Sequence, residues 1–137
     1  MNKQERKQFL LDNWRFKTLN FKWSNIGVCR IYDKRSNKTN FFAGGYGYDK
    51  KGTCLAEFMN HYFNDELKKL DSSKFYGLTH YNKKTNKRIK KATINTTSYL
   101  NGGCGFESMT TVLEKIGFKL EFILESNNNI VYQLKSK

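Results

Sequence analysis

Twice in 137 residues the chain passes from a β-branched and aromatic stretch, through three closely spaced glycines, into a helical pattern. The first passage is Ala43-Gly44-Gly45-Tyr46-Gly47-Tyr48-Asp49; the second is Asn101-Gly102-Gly103-Cys104-Gly105-Phe106-Glu107. Glycine reaches positive φ without steric cost, so each passage permits a sharp turn out of a strand. Two such elbows demand at least two strand–turn–helix units, and the length fits a single domain over residues 1–137.

The flanking patterns name the elements. "NIGVCRIYD" (25–33) alternates with both faces largely apolar, which fits a central strand. "KRSNK" is a turn and "TNFFA" the returning strand of a hairpin. After the first elbow, Leu55, Phe58, Met59, Tyr62 and Phe63 recur at helical spacing. They predict a helix over 53–69 with Thr53 as N-cap and Lys68 and Lys69 at its C-terminal end. "KFYGLTHY" and "ATINTTSYL" read as strands, and residues 106–116 as a helix with Phe106, Met109, Leu113 and Ile116 on one face and Gly117 closing it. "FKLEFILE" and "IVYQLK" flank "SNNN" as a terminal hairpin, with Phe118, Leu120, Phe122 and Leu124 on its apolar face. Residues 3–14 suggest a short amphipathic helix carrying Phe9, Leu10 and Trp14.

"YDKRSNK" (32–38) and "YNKKTNK" (81–87) share four identities, and each is followed by a strand, an elbow and a helix. The second unit has nine extra residues between turn and elbow. Duplication explains this; so does convergence, because Lys and Asn are abundant here and hairpin turns favour them. Either way the fold class is α+β, an antiparallel sheet with two main helices on one face.

With 25 Lys and Arg against 12 Asp and Glu, the formal net charge is +13. Such a field attracts polyanions. No apolar run approaches the ~20 residues that span a bilayer, and the start lacks the apolar core of a signal peptide. Cys29, Cys54 and Cys104 form no CxxC and read as reduced, mostly buried thiols. The spacing of Cys and His offers no zinc site, and no cofactor motif is present. His61 and Cys54 share a helical face, but i, i+7 spacing separates them by about 10 Å along the axis, too far for proton transfer. The chain therefore reads as no enzyme.

Two features suit anions. At the elbows, Gly44, Gly45, Gly47, Gly102, Gly103 and Gly105 lead backbone N–H groups into helix N-termini, where a phosphate or a bound nucleotide would sit. Neither elbow is a P-loop, and Asp49 and Glu107 stand where a carboxylate can satisfy the helix start instead. The stronger feature is the arm at 82–91, "NKKTNKRIKK", with Lys83, Lys84, Lys87, Arg88, Lys90 and Lys91. Tyr76, His80 and Tyr81 precede it, and basic residues beside exposed aromatics can track phosphates and stack on bases. Mutual repulsion favours a mobile arm. A second basic and aromatic segment, residues 1–22, contributes Lys17 and Lys22, with Trp14, Phe16, Phe21 and Trp23 in and just beyond it. The plain alternative for both is a solvated basic face over ordinary core aromatics.

The elbows with their surroundings, Gly44 to Lys50, then Gly102 to Gly105, then Leu113-Glu114-Lys115-Ile116-Gly117-Phe118, resemble a group of small uncharacterised bacteriophage and prophage accessory proteins with GGxGYDK and GGxG…LExIGF motifs. The resemblance covers residues 40–120, and the basic arm is an addition to it. It implies a phage accessory role of the anti-CRISPR or other anti-defence kind. Such a protein is a non-catalytic inhibitor bound to a host protein or ribonucleoprotein in the bacterial cytoplasm, with DNA or RNA as alternative partner and no membrane.

Overall fold

The computed structural model describes residues 5, 19–24, 29–33, 38–43, 50–101, 104–126 and 129–137. Along the chain these form strands β1 (Leu19–Ser24), β2 (Cys29–Asp33) and β3 (Lys38–Ala43), then helices α1 (Lys50–Tyr62) and α2 (Asn64–Leu67). Strands β4 (Leu78–Asn82), β5 (Arg88–Ile89) and β6 (Thr96–Leu100) follow, then helix α3 (Phe106–Lys115) and strands β7 (Phe118–Ser126) and β8 (Asn129–Ser136). The class is α+β, as the patterns imply, but the one expected sheet is two. A five-stranded antiparallel sheet runs β3-β2-β1-β8-β7, and a three-stranded one runs β5-β4-β6. The last strand lies between β1 and β7, so both ends of the chain build the larger sheet and the middle builds the smaller.

Strand β2 is interior, flanked by β1 and β3, which suits its two apolar faces. Strand β1 is not among the expected elements, although "LNFKWS" alternates. Its Phe21 is fully buried, edge-on to Phe58 of α1 with centroids 5.1 Å apart. That assigns Phe21 to the core and away from any basic-aromatic surface. The expected N-terminal helix lies outside the described residues apart from Glu5.

Helix α1 carries the core residues its periodicity promises. Leu55, Phe58, Met59 and Phe63 are buried and Tyr62 packs partly against them. Its bounds differ from expectation. It starts at Lys50, which places Thr53 inside the helix and removes it as N-cap. It ends at Tyr62, where Phe63 leaves helical backbone at φ −121°, ψ 26°. The break turns the Phe63 ring onto Phe118 of β7, 4.9 Å away. Lys68 then ends α2 and pairs with Asp65 at 3.8 Å.

Gly52 in the first turn of α1 lies against the backbone of Cys104, Gly105 and Phe106, so the two helix starts abut. A Cβ there would overlap the Cys104 carbonyl oxygen. Helix α3 buries Met109, Val112 and Leu113, and Gly117 (φ 102°) closes it as expected, with its N–H donating to the Glu114 carbonyl at 3.0 Å.

The terminal hairpin departs from simple alternation. Phe118 is buried and Leu120 packs against the core, but Phe122 and Leu124 are about half exposed (52% and 45%). The pairing with β8 slips between Phe122 and Leu124, so Ile123 is an extra residue. A bulge reverses which face later side chains occupy. Leu124 therefore leaves the apolar face that Phe118, Leu120 and Phe122 begin.

Two substitutions test this packing. Phe58→Ala should lower unfolding free energy by about 3–5 kcal/mol in denaturant melts, through reduced burial plus a cavity. Gly52→Ala should also destabilise, although Gly→Ala inside a helix normally gains up to ~1 kcal/mol, because the new methyl meets backbone that cannot swing aside.

Candidate functional site

The three-stranded sheet carries the basic stretch. Its alternation is clean: in β6, Thr96, Ser98 and Leu100 are buried while Thr97 and Tyr99 are exposed. In β4, Leu78 and His80 point inward. Antiparallel register sets Thr79 opposite Tyr99, and Tyr81 opposite both Thr97 and Arg88. Opposite residues share a face, so Thr79, Tyr81, Arg88, Thr97 and Tyr99 look outward together.

His80 is not the exposed aromatic expected before the arm. It is fully buried; its Nε2 donates to the Leu70 carbonyl at 2.9 Å, and its Nδ1 accepts from the Ser98 hydroxyl at 2.7 Å. The carbonyl can only accept, which fixes the ring's tautomer. His80 thereby ties the 70s loop to the sheet. Tyr76, in that loop, is 77% exposed, and Tyr81 is half-buried. The strand expected from Lys74 begins only at Leu78, because Gly77 turns the chain at φ 85°.

The turn before β5 is built by asparagines. The Asn82 side-chain oxygen accepts from the N–H groups of Lys84 (2.9 Å) and Thr85 (3.1 Å), and Asn86 takes the left-handed conformation at φ 56°. The Asn82 N–H donates to the Lys87 carbonyl at 2.9 Å. In the first unit Asp33 pairs with Lys38, the same closure at the same sequence positions. The turn in "YNKKTNK" is thus set by Asn82 and Asn86, while residues 34–37 of "YDKRSNK" lie outside the described residues. The units then diverge: after β5 the chain loops back through residues 90–95 to β6, which pairs on the other side of β4.

The arm is consequently a pair of loops at one end of the small sheet. Its backbone is held by the Asn82 bonds and by the Lys83 N–H, which donates to the Asn95 carbonyl at 2.8 Å. Lys83, Lys84, Lys87, Arg88, Lys90 and Lys91 are all exposed. None has an acidic partner among the described residues. Beside them an open cleft of about 490 Å³ is lined by Ser72, Lys74, Tyr76, Thr79, Arg88 and Asn101, among others. At its edge Asp71 accepts from the hydroxyl (2.7 Å) and the N–H (2.9 Å) of Ser73. Those bonds, with help from Lys74, hold its carboxyl below the ordinary value.

Lys22 is half-buried on β1 of the larger sheet. Lys17, Gly44, Gly45, Gly47, Gly102 and Gly103 lie outside the described residues, as does Asp49. Gly105 precedes α3 with ordinary extended backbone, φ −68° and ψ 158°, so no glycine-only conformation exists there, and Glu107 occupies the helix's first turn. His61 is exposed and edge-on to Tyr62, whereas Cys54 is fully buried. Cys104 is buried too, and desolvation pushes its thiol above the ordinary value. Among the described residues no group of three or more Cys, His, Asp or Glu is placed to hold a metal ion, and no helix is long and apolar enough to cross a membrane. Sequence reasoning does not single out Tyr99; the alternation of "TTSYL" is its only signal. The chain matches no protein-family model, no curated protein and no solved structure.

Burial shields both sulfurs from reagent, and for Cys104 desolvation also disfavours the thiolate, the reactive form. Site-resolved alkylation at mildly alkaline pH should therefore leave Cys54 and Cys104 unmodified in the folded chain and label both after denaturation.

Proposed function

We propose that this chain is a non-catalytic binding protein that docks on a polyanionic surface through its basic loops. In this reading it is a phage-encoded, anti-CRISPR-like inhibitor of a host nucleic-acid-handling defence complex. The carrying observation is the set of six exposed cations at one end of the small sheet, without acidic partners among the described residues. Folding alone gives no reason to collect them: like charges this close repel, and the turn's backbone bonds come from Asn82, not from any lysine side chain. The resemblance to phage accessory proteins supports the inhibitor role, and the host cytoplasm is where such a partner would be met.

A second reading, direct binding of DNA or RNA by a mobile-element accessory protein, is favoured by the cleft beside the loops. There Lys74, Arg88, Ser72 and Thr79 line the same cleft as Tyr76, which is largely exposed. Affinity capture from host lysate with and without nuclease separates the two. Nuclease-resistant capture of a defence complex supports the inhibitor, and nuclease-sensitive capture supports direct binding.

In either case Lys84→Ser/Lys87→Ser/Arg88→Ser/Lys90→Ser should melt at nearly the parent temperature. Its affinity for the polyanion should fall. On duplex DNA the slope of log K against log salt should flatten by about 0.9 for each phosphate that the variant no longer neutralises. Parent-like binding at every salt concentration would move the site elsewhere.

A further inference from the structure

We infer that the outward face of the three-stranded sheet is a stacking surface for the unpaired bases of single-stranded nucleic acid, with Arg88 and Lys74 placed for its phosphates. The inference rests on the reading of the basic loops as a polyanion site and narrows the ligand.

The inner face of this sheet is buried through Leu78, His80, Ser98 and Leu100. The outer face keeps its large aromatics in solvent. Tyr99 is 51% exposed and Tyr81 is half-buried. Tyr81 faces Thr97 and Tyr99 faces Thr79, so the two rings are diagonal neighbours across β4 and β6. Diagonal positions lie about 7–8 Å apart, room for adjacent bases to lie on successive rings. Tyr76, at the mouth of the cleft, offers a third ring. Arg88 stands opposite Tyr81 on the same face and also lines the cleft. None of the three tyrosines makes a hydrogen bond through its hydroxyl among the described residues, so the fold does not use that end of the ring. A sheet face that interleaves exposed aromatic rings with cations binds single strands by stacking and by backbone charge. In a duplex the bases are already stacked on one another, which leaves these rings no partner. The loops would still meet duplex phosphates, so the rings confer the preference for a single strand.

The test compares fluorescently labelled thymidine and uridine oligomers with a duplex of the same length, by anisotropy at one fixed salt concentration. Tyr81→Ala/Tyr99→Ala should weaken binding of the oligomers by about 5- to 150-fold for each base that no longer stacks, the equivalent of ~1–3 kcal/mol. Duplex affinity should stay at the parent value. Tyr81→Phe/Tyr99→Phe should bind like the parent, because stacking needs the ring and not the hydroxyl. Tyr76→Ala, at the most exposed of the three rings, should weaken the oligomers alone and guards against loss of fold in the double variant. Weakening with both oligomers assigns the site to unpaired bases of either sugar; weakening with one assigns it to DNA or to RNA. Parent-like oligomer binding by both alanine variants overturns the inference, as does equal weakening on oligomer and duplex by variants that melt like the parent. A parent protein that binds duplex or heparin but no oligomer overturns this inference and leaves the basic-loop reading standing. A parent that binds no polyanion, heparin included, overturns both.

Discussion

Asn60 and Asn64, one helical turn apart at the junction of α1 and α2, hold the edge of β6. Asn60 accepts from the Leu100 N–H at 2.7 Å and donates to the Leu100 carbonyl at 2.9 Å, and Asn64 donates to the Ser98 carbonyl at 2.7 Å. An edge strand otherwise presents unpaired backbone groups to solvent or to other chains. Here two side chains occupy that edge from the flank. The sheet is thereby fixed to the helices by its edge and its inner face, which leaves the outer face open. His80 repeats the principle at the other side, binding the 70s loop to β6 through Leu70 and Ser98. A three-stranded sheet of short strands has little stability by itself. Its rigidity is borrowed from α1, whose own position depends on Phe58 and on the absence of a side chain at Gly52.

That arrangement separates the tasks of the molecule. The large sheet with α1 and α3 holds the main core, including Phe21, Phe58, Phe63, Phe118 and Leu113. The small sheet contributes Leu78 and Leu100 to that core, buries His80, Thr96 and Ser98 on the same inner face, and displays polar, basic and aromatic groups on the other. Cations at its loop end are exposed to water, and the turn geometry is secured by asparagine side chains instead. Charge can then accumulate there without disturbing the core, which is the condition a binding surface needs.

What is legible in the sequence is local. Helical spacing in Leu55, Phe58, Met59 and Phe63 identifies a buried face, and alternation marks β2, β6, β7 and β8. The limits of α1 are not legible, because Thr53 is a good cap by type yet lies inside the helix, and the approach of Gly52 to Cys104, Gly105 and Phe106 is distant in sequence. The division into two sheets depends on β8 pairing with β1, a contact between the two ends of the chain that no local pattern encodes. Alternation also cannot say which face is inward. His80 therefore reads as one of the exposed aromatics until its partners Leu70 and Ser98 are known. Of the candidate site, the six cations and Tyr81 are readable from composition. Tyr99 is not, since it reaches the same surface only through the pairing of β6 with β4. The bulge at Ile123 similarly defeats the reading of β7, because one extra residue reverses every later position.

In the proposed reading, the small sheet and its loops form the binding surface while the rest of the molecule serves as support. Backbone amide shifts followed by NMR during titration with a single-stranded oligonucleotide test it directly. Perturbations should gather at Tyr76, Thr79, Tyr81, residues 83–91, Thr97 and Tyr99, and leave β7 and the exposed face of α3 unchanged. Perturbations centred on the glycine elbows or on the N-terminal basic segment, with the small sheet silent, would contradict it.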